Sequence, residues 1–110
     1  MTLPVYPVVF APEALRQLED LYHYIAEATS PLVAQRYTDA IVRYCEGLQT
    51  FPLRGASRDD IRPGLRVTNY KGRAVISFDF SDERVAVIGI FYGGQDYETA
   101  LNLPGTDLTP

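Results

Sequence analysis

Apolar residues change their spacing along this chain twice, and those changes divide it into a strand, two helices and three more strands. Residues 5–10, Val-Tyr-Pro-Val-Val-Phe, are β-branched and aromatic and predict a short strand. Pro7 removes one backbone donor, which places that strand at a sheet edge or makes it irregular at its start. Pro12 then opens a helix at the position where a missing N–H costs nothing. Leu15, Leu18, Tyr22 and Ile25 recur at three- and four-residue steps, while Arg16, Gln17, Glu19, Asp20 and His23 fill the opposite face, so an amphipathic helix is predicted over about 12–28.

Ser30-Pro31 is a restart signal, a capping hydroxyl followed by a ring already set for the first turn. Val33, Tyr37, Ile41, Tyr44 and Leu48 form the next stripe, and Phe51-Pro52 ends it, because the residue before proline is driven out of the helical region. So short a turn makes the two helices antiparallel neighbours. Residues 52–64 are rich in Gly, Pro and charge and read as a connecting loop. Leu65–Tyr70 is the next strand, closed by a turn at Lys71-Gly72. Ala74, Ile76, Phe78 and Phe80 alternate with Val75, Ser77 and Asp79 in a half-buried strand, and Arg84–Tyr92 is apolar on both faces, as a central strand would be. Asp96–Leu101 reads as one or two helical turns, and 102–110 as a loose tail. The expected architecture is α+β in the order β-α-α-β-β-β, a helical hairpin packed on a small, mainly antiparallel sheet, as one domain over 1–110 with its core at about 5–101.

Composition narrows the function. A length of 110 residues fits one domain that holds a core without staples. A single cysteine, Cys45, excludes an intrachain disulfide and, with only His23 to help, a zinc site. The first residues lack the basic region and apolar run of a signal peptide, and no stretch is long enough to span a bilayer, so a cytoplasmic protein is expected. The net charge of −4 sets the global field against nucleic acid, and no direct nucleic-acid binding is expected.

No nucleophile elbow, phosphate loop, zinc motif or dinucleotide fingerprint is present, and no cofactor is implied. His23 reads as a solvated helix residue and Cys45 as a buried packing thiol. Arg54, Arg58, Arg62, Arg66 and Arg73 fall between the hairpin and the third strand, with Lys71 among them, and half of the chain's 10 cations are these arginines. Such a set either offsets the acids in solvent or captures carboxylates of an acidic partner. Gly93-Gly94 after the last strand permits a sharp turn or a close approach, and Tyr92, Gln95, Asp96 and Tyr97 gather there as a candidate contact site.

Several of these pieces share an order and spacing with a known family. A leading strand runs into Ala11-Pro12-Glu13-Ala14 and a helix with Leu15-x2-Leu18-x3-Tyr22-x2-Ile25. Then follow Leu48-x2-Phe51-Pro52-x2-Gly55, Gly64-Leu65-Arg66, and a last strand Val-Ala-Val-Ile-Gly-Ile-Phe-Tyr-Gly-Gly-Gln-Asp. Over about residues 5–101 the chain resembles the RelE/ParE superfamily of type II toxins, nearest its ParE branch.

The resemblance implies a bacterial toxin neutralised by a cognate antitoxin, a ParD-like ribbon-helix-helix protein, in a hetero-oligomer. ParE-like members poison DNA gyrase without a nuclease centre, whereas RelE-like members cleave messenger RNA on the ribosome. The superfamily often ends its last strand with His-Gly-x-Arg-Asp. Here Tyr92 and Gln95 replace the histidine and arginine, while Gly93 and Asp96 match. A ribonuclease needs a base and cations to stabilise charge on phosphate, so these losses argue against RNA cleavage and for a gyrase-binding toxin with no catalytic residues. A ribosome-dependent nuclease and an inactive antitoxin-binding module are the alternatives. The expected antitoxin-binding residues are Arg62, Arg66, Arg73 and Tyr22, and the expected target-binding residues are Tyr92, Gln95, Asp96 and Tyr97. No metal site is expected.

Overall fold

The computed structural model describes residues 5–81 and 83–92. Helix α1 covers Pro12–Ala28 and helix α2 covers Pro31–Glu46, each beginning on proline. The Ser30 hydroxyl accepts the Val33 N–H at 3.2 Å, satisfying one orphan donor at the start of α2. A short 3-10 turn, Gly47–Gln49, finishes the hairpin. Five strands follow the expected sequence with one addition: β1 (Val8–Phe10), β2 (Ala56–Ser57), β3 (Leu65–Tyr70), β4 (Ala74–Ser81) and β5 (Arg84–Tyr92).

The strands lie in the order β1-β5-β4-β3-β2, antiparallel throughout except that β1 runs parallel to β5. β5 therefore has a strand on each side, which is why its sequence is apolar on both faces. β1 is the edge strand that Pro7 required, and the Pro7 carbonyl still accepts from Val85 N at 2.8 Å. β2 falls within the segment read as loop. Its two residues are exposed and carry no alternation that would mark a strand.

One face of the sheet receives the hairpin. Ile41, Cys45 and Leu48 from α2 and its turn meet Ala74, Ile76, Phe78, Val85, Val87 and Ile90, and all are buried. The helices turn slightly from the expected stripes: Ala14, Leu21 and Ile25 are the buried positions of α1, and Leu15 is 51% exposed. On α2 the inner line runs Ala34, Thr38, Ile41, Cys45, so Val33 is exposed and Tyr37 and Tyr44 lie at the margin. Alanines at 14 and 34 let the backbones approach, and the larger side chains beside them are displaced outward. The other face carries a smaller cluster of Leu65, Ile88 and Phe91 with Ile61 and Val75.

The β4–β5 ladder is interrupted once. Ser77 pairs with Gly89 and Phe78 with Val87, leaving Ile88 as the extra residue of a bulge. Gly89 is required there, since a Cβ would stand 2.7 Å from the Phe91 ring and 2.9 Å from Ser77 Oγ. Beyond the bulge, where β1 has ended, Ile90 N donates instead to Gln17 Oε1 on α1 at 2.7 Å.

Candidate functional site

Two surface features follow from this packing. The first is a cleft of about 260 Å³ on the hairpin, between the two helices. Leu15, Leu18 and Tyr22 from α1 and Thr38 and Val42 from α2 line it, with Glu19 and Asp39 as the charged members. The Thr38 hydroxyl is turned back to Ala34 O at 3.0 Å, so it presents its methyl rather than a free polar group to the cleft. The displacement of Leu15 from the core is what gives the cleft an apolar wall.

The second feature lies where β3 ends, β4 begins and β5 ends. Tyr70 and Tyr92 are paired on either side of Ala74. The small Ala74 side chain leaves space above it, and Tyr37 of α2 enters edge-on to both tyrosines. Its ring centroid is 6.1 Å from Tyr70 and 5.7 Å from Tyr92. Tyr44 continues the contact at one end, 5.2 Å from Tyr70, and Tyr24 at the other, 6.2 Å from Tyr92. Five of the chain's 8 tyrosines thus form one strip, in the order 44, 70, 37, 92, 24.

Polar atoms in the strip are unevenly satisfied. The Tyr44 hydroxyl is 2.9 Å from Thr68 Oγ1. The Tyr37 hydroxyl is shielded from solvent and has no hydrogen-bond partner among the described residues. Burial, then Tyr92 and Tyr70, push its pKa above the ordinary tyrosine value, and nearby Arg73 opposes this. Arg54 lies over the Tyr44 ring at 5.2 Å and the Phe51 ring at 5.5 Å, and Lys71 lies 5.5 Å from the Tyr70 centroid.

The arginines expected to act together have different surroundings. Arg66 binds its own chain, its guanidinium donating to the carbonyls of Leu53 at 2.7 Å, Gly55 at 3.2 Å and Arg54 at 3.3 Å. Arg58 forms a two-bond pair with Asp60 at 2.8 and 2.9 Å. Arg62 is half-buried in the loop, and its backbone N–H reaches Arg58 O at 3.3 Å. Arg73 is exposed in the β3–β4 turn, at the far end of β3 from Arg66. Tyr22 is half-buried in the hairpin cleft, separate from all of them. Of the expected target-binding group, Tyr92 ends β5, and Gln95, Asp96 and Tyr97 lie outside the described residues, as do the expected turns at 96–101 and the tail.

His23 is exposed on α1, with Nε2 3.9 Å from Glu19. Cys45 is fully buried, and burial followed by Glu46 pushes its thiol up to about 12. Among the described residues no group of His, Cys, Asp and Glu is placed to hold a metal ion, and no helix is long and apolar enough to cross a membrane. Tyr24, Tyr37, Tyr44 and Tyr70 were legible as tyrosines but not as one surface. Their only sequence signal is the seven-residue spacing of Tyr37 and Tyr44, which also suits a core stripe.

Comparison with known proteins concerns the chain as a whole. No curated protein sequence matches the chain significantly. Among solved structures it is similar to the chromosomal ParDE toxin–antitoxin system of P. aeruginosa. The TM-score is 0.71 at 19% identity, with 80% of this chain and 96% of that one covered. It is also similar to the toxin–antitoxin complex RelBE2 of Mycobacterium tuberculosis. There the TM-score is 0.61 at 21% identity, covering 86% and 98%. At these identities the likeness is one of fold, two helices on a five-stranded mixed sheet. A family model for the ParE toxin of type II toxin–antitoxin systems matches residues 8–97, every described element included. The chain belongs to the ParE toxin family of type II toxin–antitoxin systems.

Proposed function

We propose that the protein inhibits DNA gyrase by docking onto it, and that a ParD-like antitoxin silences it by laying an apolar helical segment into the α1–α2 cleft. The observation that carries the second half is the cleft itself, whose walls are Leu15, Leu18, Tyr22 and Val42. Leu15, 51% exposed, is an apolar side chain left without a core partner. A helix with anchors at three- and four-residue steps fits such a groove, and basic residues beside those anchors would meet Glu19 and Asp39.

Docking rather than bond cleavage is supported by the chemistry around the strip. A general base works best with a pKa near the operating pH, and the shift on Tyr37 moves it the other way. Tyr92 and Gln95 stand where the superfamily places histidine and arginine.

Induced expression in bacteria tests the target. Filamentous cells and linearised plasmid, with purified protein blocking gyrase supercoiling, are the expected outcome. Rapid translation arrest with cut messages would replace the gyrase reading with a nuclease, and unaffected growth with an inert binding module. Leu15→Glu tests the cleft: it should weaken antitoxin binding by roughly tenfold or more while leaving the free toxin's effect intact, as expected for a charge placed in an apolar anchor site.

A further inference from the structure

The loop that follows the helical hairpin is held by more bonds than a plain connection needs. Tyr6 N donates to Gln49 O at 2.8 Å at its start, and Arg54 N returns to Phe51 O at 3.2 Å across a tight turn. The Arg66 guanidinium gathers the carbonyls of Leu53, Arg54 and Gly55. Gly55, at φ +80°, then passes too close to Val67 O for any Cβ. The backbone from 49 to 55 is thereby fixed at both ends and along its middle.

What this loop displays is apolar. Phe51 is 60% exposed and Leu53 63% exposed. Arg54 rests over the Phe51 and Tyr44 rings and enters no ion pair among the described residues. An aromatic ring and an arginine held on a rigid loop suit an interface anchor, since little freedom is lost when they bind.

The hairpin cleft has the complementary character. Its walls are apolar, and Glu19 and Asp39 stand beside them as carboxylates. Among the described residues Asp39 is in no ion pair, and Glu19 has only His23, at 3.9 Å. Small-molecule sites begin at roughly 300 Å³, so a volume of about 260 Å³ suits protruding side chains better than a free ligand.

We propose that the loop of one copy of this chain seats in the hairpin cleft of a second copy. Phe51 and Leu53 meet the apolar walls, and Arg54 meets Glu19 and Asp39. Loop and cleft both border α2, the cleft along its α1 side at Thr38 and Val42, the loop beyond its C-terminal end. Within one molecule they are kept apart, because Arg66 and the Tyr44 ring hold the loop toward β3. Between two molecules, a two-fold axis lets each copy give a loop and receive one, so the contact closes at a dimer.

A second copy is favoured over an unrelated partner because one sequence supplies both halves. The loop brings apolar anchors with an unpaired cation, and the cleft brings apolar walls with carboxylates to meet it. An antitoxin helix entering the cleft would then have to displace the second copy. That competition rests on the antitoxin reading above, whereas the contact itself does not.

The test is sedimentation equilibrium of the purified whole chain, without antitoxin, over a range of concentrations. A monomer–dimer equilibrium is expected. Phe51→Ser, Arg54→Glu and Asp39→Arg should each weaken it by roughly tenfold or more. All three positions are exposed, so circular dichroism should show the fold unchanged. Combining Arg54→Glu with Asp39→Arg restores opposite charges across the contact and should recover most of the association. Lys71→Glu, in the turn at the opposite end of β3 from Arg66, should leave it as it was. A monomer at every concentration, growth beyond a dimer, indifference to these substitutions or a charge swap that recovers nothing would overturn the proposal. With neither antitoxin nor gyrase present, each of those results leaves the toxin reading untouched.

Discussion

Gln17 on α1 accepts the Ile90 amide hydrogen of β5 through Oε1 at 2.7 Å, supplying the acceptor that a neighbouring strand would otherwise give. The bulge at Ile88 and the early end of β1 create that orphan donor, and a helix side chain resolves it. Gln17→Ala leaves a part-buried N–H unpaired, and denaturant unfolding should show a loss of about 1–3 kcal/mol. Gln17→Glu keeps an acceptor and should recover most of that loss above the carboxylate pKa. A loss below about 0.5 kcal/mol for Gln17→Ala would mean that the amide is well solvated.

Gly55 and Gly64 offer an internal comparison. Both have left-handed backbones, φ +80° and +81°, but a Cβ on Gly55 would fall 2.2 Å from Val67 O, and one on Gly64 meets nothing within 4 Å. Gly64→Ala should therefore cost only the conformational penalty of about 1–2 kcal/mol. Gly55→Ala should cost clearly more, because β2 must move off β3 and the carbonyl cradle of Arg66 moves with it. Thermal melts of the two variants read the difference, and equal melting temperatures would contradict it.

Acid should loosen the loop between α2 and β3. Asp59 is held below its ordinary value of 3.8 by the Gly64 N–H and the Ser57 hydroxyl, and Asp60 by Arg58. A carboxylate whose folded pKa is depressed contributes stability above its unfolded pKa and loses it as pH falls through the folded one. Stability should thus be level near neutrality and begin to fall once pH drops past 3.8, continuing below it. Asp59→Asn should flatten that slope in melts followed from neutral to acid pH, and an unchanged slope would exclude Asp59 as a source.

Cys45 should be silent toward thiol reagents while the protein is folded. Its side chain is fully buried and its pKa, raised to about 12, leaves almost no thiolate at neutral pH. Modification should proceed at the rate of unfolding and accelerate with denaturant. A fast reaction in buffer would show that α2 opens locally.

The order of elements and both helices were legible because their signals are local: proline starts, a serine cap and apolar residues at helical steps. The rotation of the stripes was not, because the buried lines of each helix are decided by where Ala14 and Ala34 let backbones meet. The tyrosine strip was legible only in part. Tyr92 stands out in the sequence at the end of an apolar strand, but its neighbours in the strip do not, because Tyr37 meets it above Ala74 through a register no single segment encodes. Arg66 has the same sequence character as Arg73 and instead clamps its own loop. The role of an arginine depends on whether carbonyls converge on it, and that is a property of the fold.

The parallel pairing of β1 with β5 has a consequence for biosynthesis. The first strand leaves the ribosome with no partner, and its neighbour is made only when residues 84–92 follow. Until then the inner face of the hairpin has no sheet beneath β5's positions, and the five-tyrosine array lacks its latest member, Tyr92. No shorter nascent chain can display the finished array, which is complete only once Tyr92 has been translated and β5 has joined the sheet.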